Sequence, residues 1–84
     1  MKLIFSEHAW EDYIYWQLTD KKTLKRINEL MKDIQKNKYQ GIGKPEPLKH
    51  SLAGYWSRRI TTELRIVYKI NDNQVLIVQL RYHY

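Results

Sequence analysis

The stretch WSRRITTELRIVYKINDNQVLIVQLRYHY, residues 56–84, decides how the rest of the chain is read. Three runs in it read as β-strands: Trp56–Ile60, Leu64–Ile70 and Val75–Tyr82. Successive side chains of a strand point to opposite faces, so alternation sorts them. Ile60 marks an apolar face of the first run, and Leu64, Ile66, Tyr68 and Ile70 mark one on the second. Leu76, Val78, Leu80 and Tyr82 do the same on the third. The opposite face then carries Arg59, Arg65 with Glu63 at the turn before it, and Arg81 with His83 just beyond. Arg59 and Arg65 share a face only if the connection around Thr61–Glu63 has an odd length, and a three-residue hairpin loop, a common solution, would set them opposite each other. Two guanidiniums so placed repel unless an anion or a carboxylate such as Glu63 lies between them. A phosphate pocket and a surface Arg–Glu network both answer that requirement. A cationic face with a titratable histidine at its rim suits a phosphodiester.

Upstream, Lys2–Phe5 reads as a short first strand. Ser6 is an N-cap, and Glu7, Glu11 and Asp12 place negative charge near the positive end of the helix that follows, which runs to about Thr19. Its candidate inward positions are Ala9, Trp10, Tyr13 and Trp16 or Gln17. Such aromatics can stack on bases, but the spacing serves a core or a subunit contact equally well. Asp20 caps a second helix, Lys21 to about Lys36, with Leu24, Ile27, Leu30, Met31 and Ile34 as its apolar stripe. Lys21, Lys22, Lys25, Arg26 and Lys32 lie largely outside the stripe, as an RNA-contacting face or a solvated one. The tight connection predicts an αα-hairpin laid on one face of the sheet. Asn37–Pro47 is the one clear loop, holding both prolines and two of the three glycines. Glu46, framed by Pro45 and Pro47, is either a solvated loop carboxylate or a held one. Leu48-Lys49 and a turn at Ala53-Gly54 complete the chain.

With 84 residues and no cysteine, the chain is expected to form a single domain, 1–84, without disulfides or thiolate zinc sites. His8, His50 and His83 show no metal-ligand spacing. No apolar run approaches a membrane span, and no signal-peptide core is evident, so a soluble cytoplasmic protein is expected. The net charge of +6 points to an anionic partner or to a merely soluble surface. Residues 41–84 hold seven Lys/Arg against three Asp/Glu, and four of the five arginines: Arg58, Arg59, Arg65 and Arg81. Arginine forks suit phosphate better than scattered lysines do.

RNA can be cut without metal if a base takes the 2′-hydroxyl proton and an acid protonates the departing 5′-oxygen, while cations hold the phosphate. Glu46 is a suitable base and His83 a suitable acid. Arg65, Arg59 and Lys49 can supply the cations, and Tyr55, Trp56, Tyr82 and Tyr84 offer planes for unpaired bases.

The chain also resembles, along its whole length, the YoeB-type toxins of bacterial toxin–antitoxin modules, within the RelE-like superfamily. The likeness is densest in Met1–Ile4, Lys25–Leu30, Gly43–Lys49, Gly54–Ile60, Arg65–Tyr68 and Arg81–Tyr84. It implies an α+β, microbial-ribonuclease-like domain with two helices packed on one face of a twisted, mainly antiparallel sheet. It implies an endoribonuclease that cuts messenger RNA in the ribosomal A site, needs no cofactor, forms homodimers and is neutralised by a cognate antitoxin. Carried over, the general base falls on Glu46 and the general acid on His83. The phosphate-binding cations fall on Arg65, Lys49 and Arg59, the strand glutamate on Glu63 and the terminal tyrosine on Tyr84. Two residues depart from the pattern: Leu64 stands where these toxins often have histidine, and Gln79 lies in a strand usually richer in small residues. The alternatives are a gyrase-poisoning toxin of the same fold and a ribosome-binding inhibitor without catalysis.

Overall fold

Two helices cover one face of a mixed sheet in the computed structural model, which describes residues 1–83. Strand β1 (Lys2–Phe5) leads into α1 (Glu7–Thr19) and α2 (Lys21–Lys36). A long loop then reaches β2 (Glu46–Pro47), a 3-10 turn at His50–Leu52, and strands β3 (Trp56–Arg59), β4 (Leu64–Asn71) and β5 (Gln74–His83). Among the described residues the sheet has five strands in the order β1-β5-β4-β3-β2. Only β1 pairs in parallel, with β5. The expected α+β architecture is the observed one, and among the described residues no helix is long and apolar enough to cross a membrane.

Local capping explains where the helices start. Ser6 Oγ accepts the Ala9 N–H at 3.0 Å and donates to the Val78 carbonyl at 3.2 Å, tying the head of α1 to β5. Asp20 alone makes the corner between the helices: its carboxylate takes the Lys22 and Thr23 N–H groups, both at 3.1 Å, and the Thr23 hydroxyl. The stripe of α2 buries as its spacing predicts, with Ile27, Leu30, Met31 and Ile34 in the core and Leu24 packed against it. Helix α1 departs from expectation. Ala9 and Trp16 are buried and Tyr13 partly so, but Trp10 is 52% exposed and the third buried residue is Asp12.

The reason lies in β5. Three steps along β4, from Tyr68 to Arg65, match five along β5, from Ile77 to Tyr82, so β5 carries two bulged residues. A bulge frees backbone groups from the ladder, and buried ones need other partners. Asp12 accepts the Leu80 N–H and the Trp16 indole donates to the Leu80 carbonyl, both at 2.9 Å. The bulges also break the strict alternation expected of this strand. Val75 and Ile77 enter the core in place of the expected Leu76 and Val78, Leu80 enters it as expected, and Tyr82 does not. Tyr82 is paired with Arg65 instead, on the opposite face. Arg81, expected among the cations of that face, lies on the helix side, with its guanidinium 3.6 Å from the centre of the Tyr15 ring of α1.

Arg58, counted above with the phosphate-seeking arginines, is fully buried. It sits on the helix side of β3 and serves as the core of the 37–43 loop. Nη1 donates to Asp33 and to the Ile42 carbonyl, Nη2 to the Asn37 and Gln40 carbonyls, and Nε to the Tyr68 hydroxyl. Burial pushes the Tyr68 phenol up, so it remains protonated and donates to the Lys38 carbonyl at 2.8 Å. Gly41 belongs to this wrapping. Its φ is +112°, and a Cβ there would fall 2.0 Å from Asp33 Oδ2.

Partial burial alone would push the Asp33 carboxyl up, but hydrogen bonds from Arg58, the Ile42 N–H and the Asn37 amide outweigh it and hold the group below its ordinary 3.8. A carboxyl lowered by folding contributes stability above its unfolded value and loses it as pH falls through the folded one. Acid unfolding followed by circular dichroism is therefore expected to steepen below about pH 4. Asp33→Asn should be less stable at neutrality yet lose less on acidification. Parallel curves for the two proteins would remove Asp33 from the acid response.

Candidate active site

On the sheet face turned away from the helices, strand pairing sets side chains in rows. One row runs Glu46, Ser57, Val67, Gln79, and the next runs Arg59, Arg65, Tyr82. The rows are two residues apart along the strands, about 7 Å at roughly 3.4 Å per residue. Alternation places Arg59 and Arg65 on strands, whereas Glu46, expected in the loop, pairs with Ser57 in β2. Register brings them to one face.

Each is positioned by a local device. Gly43, at φ +81°, turns the loop so that its carbonyl accepts the Arg59 N–H at 2.6 Å, and Pro45 and Pro47 then bracket Glu46 as it pairs with Ser57. The ladder continues as Leu48 N–H donates to the Tyr55 carbonyl at 2.8 Å. Lys49 is extended, and the 3-10 turn His50–Leu52 follows it. Among the described residues, Glu46, Lys49, His50, Leu52 and Tyr82 share the walls of one cavity of about 350 Å³. Its two charged residues are a carboxylate and an ammonium.

Arg65 lies beside this cavity, opposite Arg59 as the three-residue loop requires. Only 2% of it is exposed. Its Nη1 donates to the Thr62 carbonyl at 2.8 Å and the Thr61 carbonyl at 3.2 Å, so the hairpin turn itself anchors the charge. Turn carbonyls thus contribute acceptors where Glu63 was expected to lie between the arginines. Glu63 points elsewhere: its Oε2 is 3.5 Å from His83 Nε2, and both side chains are about 70% exposed. Such an open pair adds little stability. His83 pairs in register with Leu64, at the rim of the sheet, and does not line the cavity of Glu46. Arg81 is separated from the site by the sheet, and Tyr84 lies outside the described residues.

Of the cavity wall, His50 is absent from the candidates the sequence offers, and Tyr82, offered as a plane for bases, reaches the wall from a face other than the one alternation gives it. Tyr82 was assigned to the apolar face because alternation carries no sign of the β5 bulges. His50 was noted only for lacking metal spacing, although its place directly after Lys49 in a turn was a usable signal. Elsewhere, Leu3, Phe5, Trp10, Tyr13 and Met31 line an apolar groove of about 450 Å³ between β1 and the helices, where Trp10 and Tyr13 stack 5.8 Å apart.

Residues 5–84 match the family described as the YoeB-like toxin of bacterial type II toxin–antitoxin systems. The chain is 60% identical over 84 residues to Toxin YoeB of Escherichia coli K12, covering all of both chains. It also superposes on the YoeB dimer structure from Staphylococcus aureus with a TM-score of 0.93, at 52% identity over 100% of this chain and 98% of the other. YoeB in the heterotetrameric YoeB–YefM toxin–antitoxin complex of the same organism gives a TM-score of 0.91, at the same identity and coverage. By sequence along its whole length, and by a fold that sets Glu46, Arg59 and Arg65 on one sheet face, the chain belongs to the YoeB-like toxins of bacterial type II toxin–antitoxin systems.

Proposed function

We propose that this toxin is an endoribonuclease that cuts messenger RNA in the ribosomal A site and so stops translation. The observation that supports this most is the placement of Glu46 and Lys49 in one cavity, with Arg59 and Arg65 in the adjoining row of the same face. In the proposed reaction Glu46 takes the 2′-hydroxyl proton and the 2′-oxygen attacks the phosphorus. The bond to the 5′-oxygen breaks, and His83 supplies that oxygen's proton. Arg65, Arg59 and Lys49 hold the phosphate oxygens as charge builds on them. His83 must turn from Glu63 toward the RNA to act, and its exposed place at the sheet rim leaves it room. Tyr84 is assigned to the RNA contact as the residue following His83. No metal or cofactor enters these steps.

The same reading extends to partners. A YefM-type antitoxin would neutralise the protein in the cytoplasm, as the staphylococcal complex pairs such proteins. The apolar groove around Trp10 offers a surface for a second copy. One observation favours a second reading, that the cationic face blocks the A site without cutting: His83 rests on Glu63, outside the cavity.

Primer extension on ribosome-bound message separates the two. Cuts within A-site codons are expected, whereas stalled ribosomes on intact message would establish the blocking reading. Arg65→Ala is expected to slow single-turnover cleavage by about 10²-fold, the size of one lost transition-state donor, with a much smaller loss of ribosome affinity. A rate within about threefold of wild type would free Arg65 from this role.

A further inference from the structure

His50 adopts φ +58°, in the left-handed region that favours glycine and that residues bearing a Cβ rarely enter. Among the described residues two other non-glycine residues do so, each in a turn or loop. Asp72 forms the tight turn between β4 and β5, and Lys44 follows Gly43 in the loop that delivers Glu46. His50 opens the 3-10 turn His50–Leu52, where its carbonyl accepts the Ala53 N–H at 3.0 Å and no side chain caps the turn. Among the described residues its imidazole has no hydrogen-bond or ion-pair partner. In this conformation His50 lines the cavity shared by Glu46, Lys49 and Tyr82. Backbone strain of this kind is retained where the surrounding structure imposes it, and it concentrates at sites of function.

We propose that His50 is a substrate-contacting residue. Its imidazole donates a hydrogen bond to the RNA nucleotide held in this cavity, the one whose 2′-hydroxyl faces Glu46. The contact rests on the RNA-cleavage reading above and adds to it a hydrogen-bond donor that the reaction itself does not require. Glu46 and Lys49 already answer the proton and the phosphate. A ribose or base edge beside them still presents acceptors that an imidazole N–H can meet.

The strain supplies a discriminating test. Glycine fits the left-handed conformation and asparagine tolerates it, so His50→Gly and His50→Asn should melt at or above the wild-type temperature. Cleavage of ribosome-bound message should nevertheless fall by about tenfold in kcat/KM for the glycine variant, the loss of one hydrogen bond to substrate. The asparagine variant, which keeps a shorter donor, should lie between glycine and wild type. A residue that only shapes the turn would show the stability gain without the loss of activity. The inference is overturned if wild type cuts while both variants cut within twofold of it. If wild type cuts no message under conditions where it binds ribosomes, the cleavage reading falls and the contact with it. Should glycine loosen the turn and lower the melting temperature, the asparagine variant carries the comparison alone.

Discussion

Glu46→Gln and His83→Gln are each expected to slow cleavage of ribosome-bound message by about 10²–10⁴-fold, the usual range for a general base or acid. The glutamine at 46 keeps the size of the side chain and its place between the prolines, but it cannot accept the 2′-hydroxyl proton. At 83 the amide retains a donor with no proton to release. The single losses should not multiply. Once either proton transfer fails, the other group has little left to assist, so the double variant should be faster than the product of the two losses predicts. Both side chains leave the core untouched, since Glu46 is half-buried at the sheet edge and His83 is exposed. Melting temperatures should therefore stay close to wild type, and ribosome binding should persist. A His83→Gln protein that cut at full rate would transfer the acid role to another group on this face.

Arg58→Ala should act in the opposite manner, unfolding the protein rather than slowing a step. Removing this guanidinium leaves the Asp33 carboxylate, three loop carbonyls and the Tyr68 hydroxyl without their donor. Breaking a buried charge pair by deleting one partner costs about 3–5 kcal/mol. In a domain of this length that is a drop in Tm of roughly 12 °C or more, and the remaining margin is small. Arg58→Lys should restore little, because an ammonium has three donors and cannot span a fork of five acceptors. Arg59, one residue along, faces the other way. Arg59→Ala is expected to change Tm by only a few degrees while slowing cleavage, so adjacent arginines should separate stability from activity. Calorimetry on the two variants would show it, and equal Tm losses would contradict the division.

That division was within reach of the sequence. Ile60 marks the apolar side of β3, so the parity that sends Arg59 outward sends Arg58 inward, where a charge must be enclosed by acceptors. The acceptors come from the 37–43 loop, whose wrapping has no sequence period, and so the burial went unread. The rest of the fold was legible where one period held throughout. The stripe of α2 and the alternation of β4 placed every core residue they named. Helix α1 was harder, because Asp12 faces the bulge in β5 while Trp10 faces outward. The bulge itself lies in the run Val75–Tyr82, where no glycine or proline marks the slip. That slip misplaced Tyr82 and Arg81 together. The face that carries Glu46, Arg59 and Arg65 survived it because those residues depend on β2, β3 and β4 alone.

The chemistry of the cut ends tests the central claim most directly. Mass spectrometry of message fragments released from programmed ribosomes should find a 2′,3′-cyclic phosphate or 3′-phosphate on one product and a 5′-hydroxyl on the other, as attack by the neighbouring 2′-oxygen requires. Fragments bearing 3′-hydroxyl and 5′-phosphate ends would mean that water, not the 2′-oxygen, attacks the phosphorus, and would contradict the roles given to Glu46 and His83.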